Sequence, residues 1–292
     1  MAKAKHPLRR PGKWRQYEHM EHAVADHQLR LRRLRSLGKI GSDNQLFGCR
    51  KGHCGHGSEI PPHRTTSPNP HPCSAMCRVA HIRLERKEAP RIAQILVPLD
   101  RRPLFVTVAS PSYRLAPKDL PRFKFSGIIQ SIKRGLKKAE EATGQTIVAV
   151  GRVDFDLGKA PDGTVIVRPH VHLVVTGSDV GTLKTHLRQR YDRAEFPGLK
   201  PVKVVPVKDK GALRYTLKCR LGGLPSQCDA PLDFALARQR LTVGYEALFD
   251  EFLLKHKVGD LLILFGIRRN GSQLEVLSDK TNDSKNDKRA HF

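Results

Sequence analysis

The run Val165-Ile166-Val167-Arg168-Pro169-His170-Val171-His172-Leu173-Val174-Val175 constrains this chain more than any other segment. Its density of β-branched residues predicts a strand, in which successive side chains alternate between faces. His170 and His172 therefore project together on one side, while Val171 and Leu173 enter a core on the other. Two imidazoles side by side can hold a metal ion, although a His-x-His triplet is too short to carry that conclusion alone.

The preceding segment, Thr146 to Leu157, also reads as a strand and alternates near its end. Val153, Phe155 and Leu157 share one face; Asp154 and Asp156 share the other. The intervening Gly158-Lys159-Ala160-Pro161-Asp162-Gly163-Thr164 is rich in turn residues, so the two runs predict an antiparallel hairpin. Carboxylates on one strand would then face imidazoles on the next. Two imidazoles and a carboxylate, with positions left open for phosphate oxygens, suit Mn²⁺ or Mg²⁺. The alternative is a histidine pair at a core edge beside a solvated acidic face. Both aspartates remain candidates for the third ligand, because the connection leaves the hairpin register unreadable.

Downstream, Tyr215 alone of the five tyrosines has a lysine three residues on, Lys218. On a helix that spacing puts phenol and ammonium on one face. A phenol, with an ordinary pKa of about 10, is a weak nucleophile near neutrality and needs a neighbouring cation, base or polarised substrate. An ordinary half-buried helix tyrosine is the alternative.

Taken in order, these parts resemble the HUH endonucleases, in particular the single-tyrosine rolling-circle replication initiators of bacterial plasmids. That family carries an acidic residue on one strand, His-hydrophobe-His on the next and Tyr-x-x-Lys on a later helix, matched here by Asp154 (with Asp156 as rival), His170-Val171-His172, and Tyr215 with Lys218. Conjugative relaxases of the superfamily usually place the tyrosine ahead of the histidines, whereas here it follows them. The resemblance covers residues 104 to 222. It implies an antiparallel-sheet nuclease domain that nicks single-stranded or hairpin origin DNA, leaving a 5′-phosphotyrosine link and a free 3′-OH, with host helicase and polymerase as partners. A rolling-circle transposase of the same superfamily and a non-enzymatic zinc-containing nucleic-acid-binding protein are the rival readings; hydrolysis by metal-activated water would need no tyrosine.

The charge balance points to the same kind of partner. Lys and Arg total 53 against 28 Asp and Glu, a formal net charge of +25, which implies a polyanion such as nucleic acid. The longest apolar run, Leu261 to Phe265, is far below the ~20 residues that span a bilayer. No apolar stretch follows the basic N-terminus, so neither membrane nor secretion is expected and the protein reads as cytoplasmic.

The expected class is α+β: an antiparallel sheet with helices on one face and the metal site on the other, preceded by a small zinc module. Residues 1–46 form a basic arm with a short helix over 29–35 that could touch phosphates. Residues 47–100 read as a cysteine-rich module and linker. Cys49, Cys54, Cys73 and Cys77 are its candidate Zn²⁺ ligands, and His53, His56, His63 or His71 could replace one of them. Residues 101–222 form the nuclease domain. Its elements are a strand over 104–109, a helix over 123–143, the histidine hairpin, a helix over 180–191, a strand over 202–207 and the Tyr215 helix over 211–221. A helical accessory region over 223–269 and a disordered tail over 270–292 complete the chain.

Overall fold

The computed structural model describes residues 20–40, 72–99, 102–159, 164–189, 191, 200–217, 221–223, 243–270 and 273–277. Helix α1 (Met20–Ser36) and helix α2 (Arg78–Leu96) precede strand β1 (Leu104–Ala109), helix α3 (Ser126–Thr143) and the long hairpin of β2 (Val148–Lys159) and β3 (Val165–Thr176). Helix α4 (Val180–Arg188), strand β4 (Val202–Pro206), helix α5 (Gly211–Leu217) and strand β5 (Leu221–Gly223) follow. Helix α6 (Val243–Leu254) leads into β6 (Leu262–Phe265), β7 (Ile267–Asn270) and β8 (Gln273–Val276). The class is α+β, as expected.

The central sheet runs β4-β1-β3-β2-β5, with β6 also on β2. Its pairings are antiparallel except for the short parallel contact of β2 with β5. β6 lines the outer edge of β2 along 149–152 and β5 lines it along 155–157. Hydrophobic alternation sets which face each residue takes. Leu104, Val106, Val108, Val153, Phe155, Val171, Leu173, Val202 and Val204 are buried on one face. Against it α3 lays Ile128, Ile132, Leu136 and Ala139, a spacing that keeps one helical stripe inward, and α4 lays Leu183 and Leu187. Phe155 anchors α6 through edge-on contacts with Phe249 and Phe252.

The opposite face is not left bare, which departs from the expectation of helices on one side only. Val148, Val150 and Val174 point that way and are covered by Ala89, Ile92 and Leu96 of α2 and by Leu213 and Leu217 of α5. An apolar triplet of this kind on the face bearing the site cannot stay in water without cost, roughly 25 cal/mol for each Å² left exposed. α2 falls inside the segment read as module and linker, where its Pro90 and dense charges conceal the helical stripe. Its buried Glu88 is met by Arg269 at 3.4 Å and Arg91 at 3.8 Å.

The two ends differ likewise from the sequence reading. The basic helix is longer than expected, and two of its arginines are engaged within the fold: Arg30 chelates Asp250 and Arg33 pairs with Glu246 at 2.5 Å, both on α6. The region read as helical accessory supplies β6 to the central sheet, and residues 273–276, assigned to a disordered tail, pair with β7 as a hairpin. Gly266 makes the β6–β7 corner possible: its φ is +66° and a Cβ there would lie 2.2 Å from the Ile147 carbonyl oxygen.

Candidate metal centre and tyrosine helix

β2 and β3 pair in a register that sets Asp154 opposite His170 and Arg152 opposite His172. This register, which the sequence left open, groups Asp154 rather than Asp156 with the two imidazoles. Asp154, His170 and His172 each offer a ligand atom within 4.8 Å of the others, and all three are buried; such a group could hold a metal ion. Asp156 lies outside the triad, opposite Arg168, with its Oδ2 3.5 Å from Nδ1 of His170. That nitrogen donates to the Arg168 carbonyl oxygen at 3.3 Å, so the carbonyl and the Asp156 carboxylate share one side of the ring. The other nitrogen, Nε2, lies 3.9 Å from Asp154 Oδ2. Asp156 is thus placed to orient His170, as outer carboxylates commonly do around metal-binding histidines.

His172 is oriented from the other neighbour strand. Thr107 on β1 stands opposite it, and their Oγ1 and Nδ1 are hydrogen-bonded at 3.1 Å, which leaves Nε2 as the candidate ligand nitrogen. Asp154 is held by the Phe155 N–H, which donates to its Oδ1 at 3.0 Å. Close backbone approach fixes the hairpin here. A Cβ on Gly151 would lie 2.0 Å from the His172 carbonyl oxygen and 2.8 Å from the Leu173 Cα, so the tight pairing of β2 with β3 beside the triad requires glycine.

Tyr215 comes to this group from α5. Its ring centroid lies 4.8 Å from that of His172, at 71°, and Phe105 completes the cluster at 5.6 Å from His172 and 5.7 Å from Tyr215. The Tyr215 helix thus meets the histidine strand. Its start is capped by Asp209, whose carboxylate accepts from the Gly211 N–H at 2.7 Å. Its end is tied to the sheet by Arg152. This guanidinium, fully buried, donates through Nη1 to the Leu217 carbonyl oxygen at 3.3 Å and to His81 Nδ1 at 2.8 Å. His81 on α2 is held neutral: burial first, and then the Arg152 charge, lower its pKa well below the usual imidazole range. Its Nε2–H donates to the Ala75 carbonyl oxygen, which leaves Nδ1 as the acceptor Arg152 needs.

Lys218, Cys49 and Cys54 lie outside the described residues. Cys73 and Cys77 are both fully buried ahead of α2, and the Cys77 sulfur caps that helix by accepting from the Ala80 N–H at 3.3 Å. Sequence reasoning missed Thr107, Arg152 and His81. Only Arg152 left a usable trace: a charged residue in an apolar strand, with the same parity as Asp154.

A cavity of about 520 Å³ opens beside Tyr215 and His172, lined also by Phe105, Thr107, Lys203 and Val205. Among the described residues no helix is long and apolar enough to cross a membrane. No protein-family model, curated protein or solved structure matches the chain.

Proposed function

We propose that the chain is a metal-dependent, tyrosine-based DNA strand transferase that initiates rolling-circle replication. The observation that carries this reading is the contact of Tyr215 with His172 at the rim of the buried Asp154–His170–His172 group. A divalent ion at that group, Mn²⁺ or Mg²⁺, would polarise the scissile phosphate and favour its developing charge. The chain's own residues do the rest. The Tyr215 oxygen bonds to phosphorus in line with the departing 3′-oxygen, the P–O3′ bond breaks, and the phenolic proton is lost to solvent while the 3′-oxygen gains one. The products are a 5′-phosphotyrosine and a free 3′-OH. Phosphodiester energy is retained in the covalent link, so rejoining needs no nucleotide. Lys218, three residues beyond Tyr215 in the sequence, would add positive charge that favours the phosphate's developing negative charge, and the excess of basic side chains holds the strand.

Zinc is assigned to a separate site made by Cys49, Cys54, Cys73 and Cys77. Its support is the cysteine spacing, together with the burial of Cys73 and Cys77 ahead of α2.

The test is a covalent adduct. Protein incubated with Mn²⁺ and a random-sequence single-stranded DNA library should yield a protein–DNA band that survives denaturing electrophoresis. Tyr215→Phe, which removes one oxygen and keeps the ring, should bind Mn²⁺ normally and give no band. An adduct that persists in Tyr215→Phe refutes the assignment of the nucleophile; no adduct from the wild-type chain refutes the strand-transfer reading.

A further inference from the structure

The cavity beside Tyr215 is built from two cross-strand rows of the sheet and one helix. In the first row Lys203 on β4, Thr107 on β1 and His172 on β3 stand in register; in the second, Val205, Phe105 and Val174 do. The rows form a floor that leads from the candidate metal ligand His172 out to an exposed lysine on the edge strand. The wall is the start of α5, where Gly211 and Ala212 line the space. Their small size keeps the helix from filling the gap over Val205 and Phe105. The volume, about 520 Å³, lies within the roughly 300–1,000 Å³ typical of small-ligand sites.

The chemistry of the lining is graded. Phe105, Val205 and Ala212 make an apolar slot, Tyr215 and His172 close its inner end, and Lys203 and Asp209 stand among the lining groups. The Phe105 ring lies nearly parallel to His172, at 25°, and edge-on to Tyr215, at 69°. A flat, uncharged, polarisable group suits the aromatic and apolar lining, and an anion attached to it suits Lys203, while the Asp209 carboxylate is engaged by the Gly211 N–H at the start of α5. We propose that this cavity binds the base of the nucleotide adjoining the scissile phosphate, stacked against Phe105, with the next backbone phosphate on Lys203. The inference rests on the strand-transfer reading, because the position of Tyr215 defines which phosphate reacts. A base swung into the slot would fix the scissile phosphate in line with the Tyr215 oxygen, so the pocket contributes to rate as well as to affinity.

The experiment pairs a change in the DNA with a change in the protein. Adducts from the random single-stranded library are sequenced to locate the joined nucleotide, and an oligonucleotide of that sequence is then made with one abasic position at a time. With the wild-type chain, removing the base next to the nick should slow adduct formation about tenfold or more, through loss of stacking. Phe105→Leu keeps an apolar side chain and so guards against misfolding, which retained Mn²⁺ binding verifies. This variant should be slower on intact DNA and should lose most of its sensitivity to that abasic position while keeping its response elsewhere. Lys203→Ala should weaken binding and flatten its salt dependence by about one phosphate contact. The inference is overturned if the wild type ignores abasic positions on both sides of the nick, or if Phe105→Leu remains as sensitive as the wild type. Absence of any wild-type adduct would instead remove the strand-transfer reading, and this inference with it.

Discussion

Replacing Arg152 by methionine should uncouple the tyrosine from the metal group without dismantling either strand that carries the ligands. Methionine matches much of the length and volume of the side chain but donates nothing. Two hydrogen bonds from a charged donor vanish, to His81 Nδ1 and to the Leu217 carbonyl oxygen, and both acceptors are left buried. Each such bond is worth about 1.5–3 kcal/mol. Relief from burying a cation offsets part of the loss, so the net cost is on the order of 3 kcal/mol. Where that cost falls is decided by the geometry. The β2–β3 pairing runs through all of Val148–Lys159 and does not depend on this guanidinium, whereas α5 spans only Gly211–Leu217, too short to persist without tertiary contacts. A loss of 3 kcal/mol borne by α5 lowers the equilibrium constant for holding Tyr215 against His172 by about a hundredfold, and the docked fraction falls by up to that factor. Single-turnover adduct formation should drop accordingly, while Mn²⁺ affinity measured by calorimetry stays within a few-fold of wild type. Arg152→Lys, which keeps the charge but loses the forked geometry, should fall between the two. Equal losses of metal affinity and adduct rate, or a wild-type adduct rate in Arg152→Met, would refute the argument.

Metal titration should separate the two aspartates: Asp154→Asn removes a ligand and should weaken Mn²⁺ binding more than Asp156→Asn, which disturbs only the orientation of His170 and should cost about 10–100-fold. The reverse order would return Asp156 to the ligand set. Gly151→Ala should destabilise the fold by at least the 1–3 kcal/mol typical of overpacking, since its methyl group meets the backbone of His172 and Leu173 as well as the Leu173 side chain, and a urea midpoint equal to wild type would contradict this. Burial pushes the Asp250 carboxyl up to about 6 from its ordinary 3.8, even with Arg30 beside it. Its folded pKa thus lies above the unfolded value, so its contribution to stability is complete below about pH 4 and is lost as pH rises through 6, an amount of about 3 kcal/mol. The urea stability of wild type minus that of Asp250→Asn should therefore fall between pH 4 and pH 7; a rise over that window would show that the Arg30 pair outweighs desolvation.

The elements that were legible in the sequence are those whose periodicity reports their own burial. β1 alternates, the inward stripe of α3 recurs at helical spacing, and the hairpin announces itself by β-branched runs around a turn. α2 was hidden because its burial changes partner along its length: Val79, Ala80 and Leu84 join the core that includes α1, whereas Ala89, Ile92 and Leu96 turn to the sheet. β6 was hidden for a different reason. The short Leu262–Phe265 segment becomes a strand by pairing with β2, more than a hundred residues earlier, and no local pattern encodes such a partner.

The candidate site divides along the same line. His170, His172 and Asp154 could be named from parity within single strands, because alternation is a local property. What distinguishes Asp154 from Asp156 is the cross-strand register, and what fixes each imidazole is a residue from another element: Thr107 for His172, the Arg168 carbonyl and Asp156 for His170. The tyrosine shows the contrast most sharply. Its spacing from the histidines along the chain conveys only order, while the helix that carries it is tied by a buried relay from Ala75 through His81 and Arg152 to Leu217, drawn from three separate segments. Arg152 carries the same strand parity as Asp154, so the polar face of β2 has a division of labour: one residue belongs to the candidate metal group, and the residue two positions before it holds the end of the helix that carries Tyr215. In the proposed strand transfer, a strand that carries a candidate ligand and also braces the tyrosine helix would couple the spacing between metal and tyrosine to a single rigid element, which an in-line attack requires.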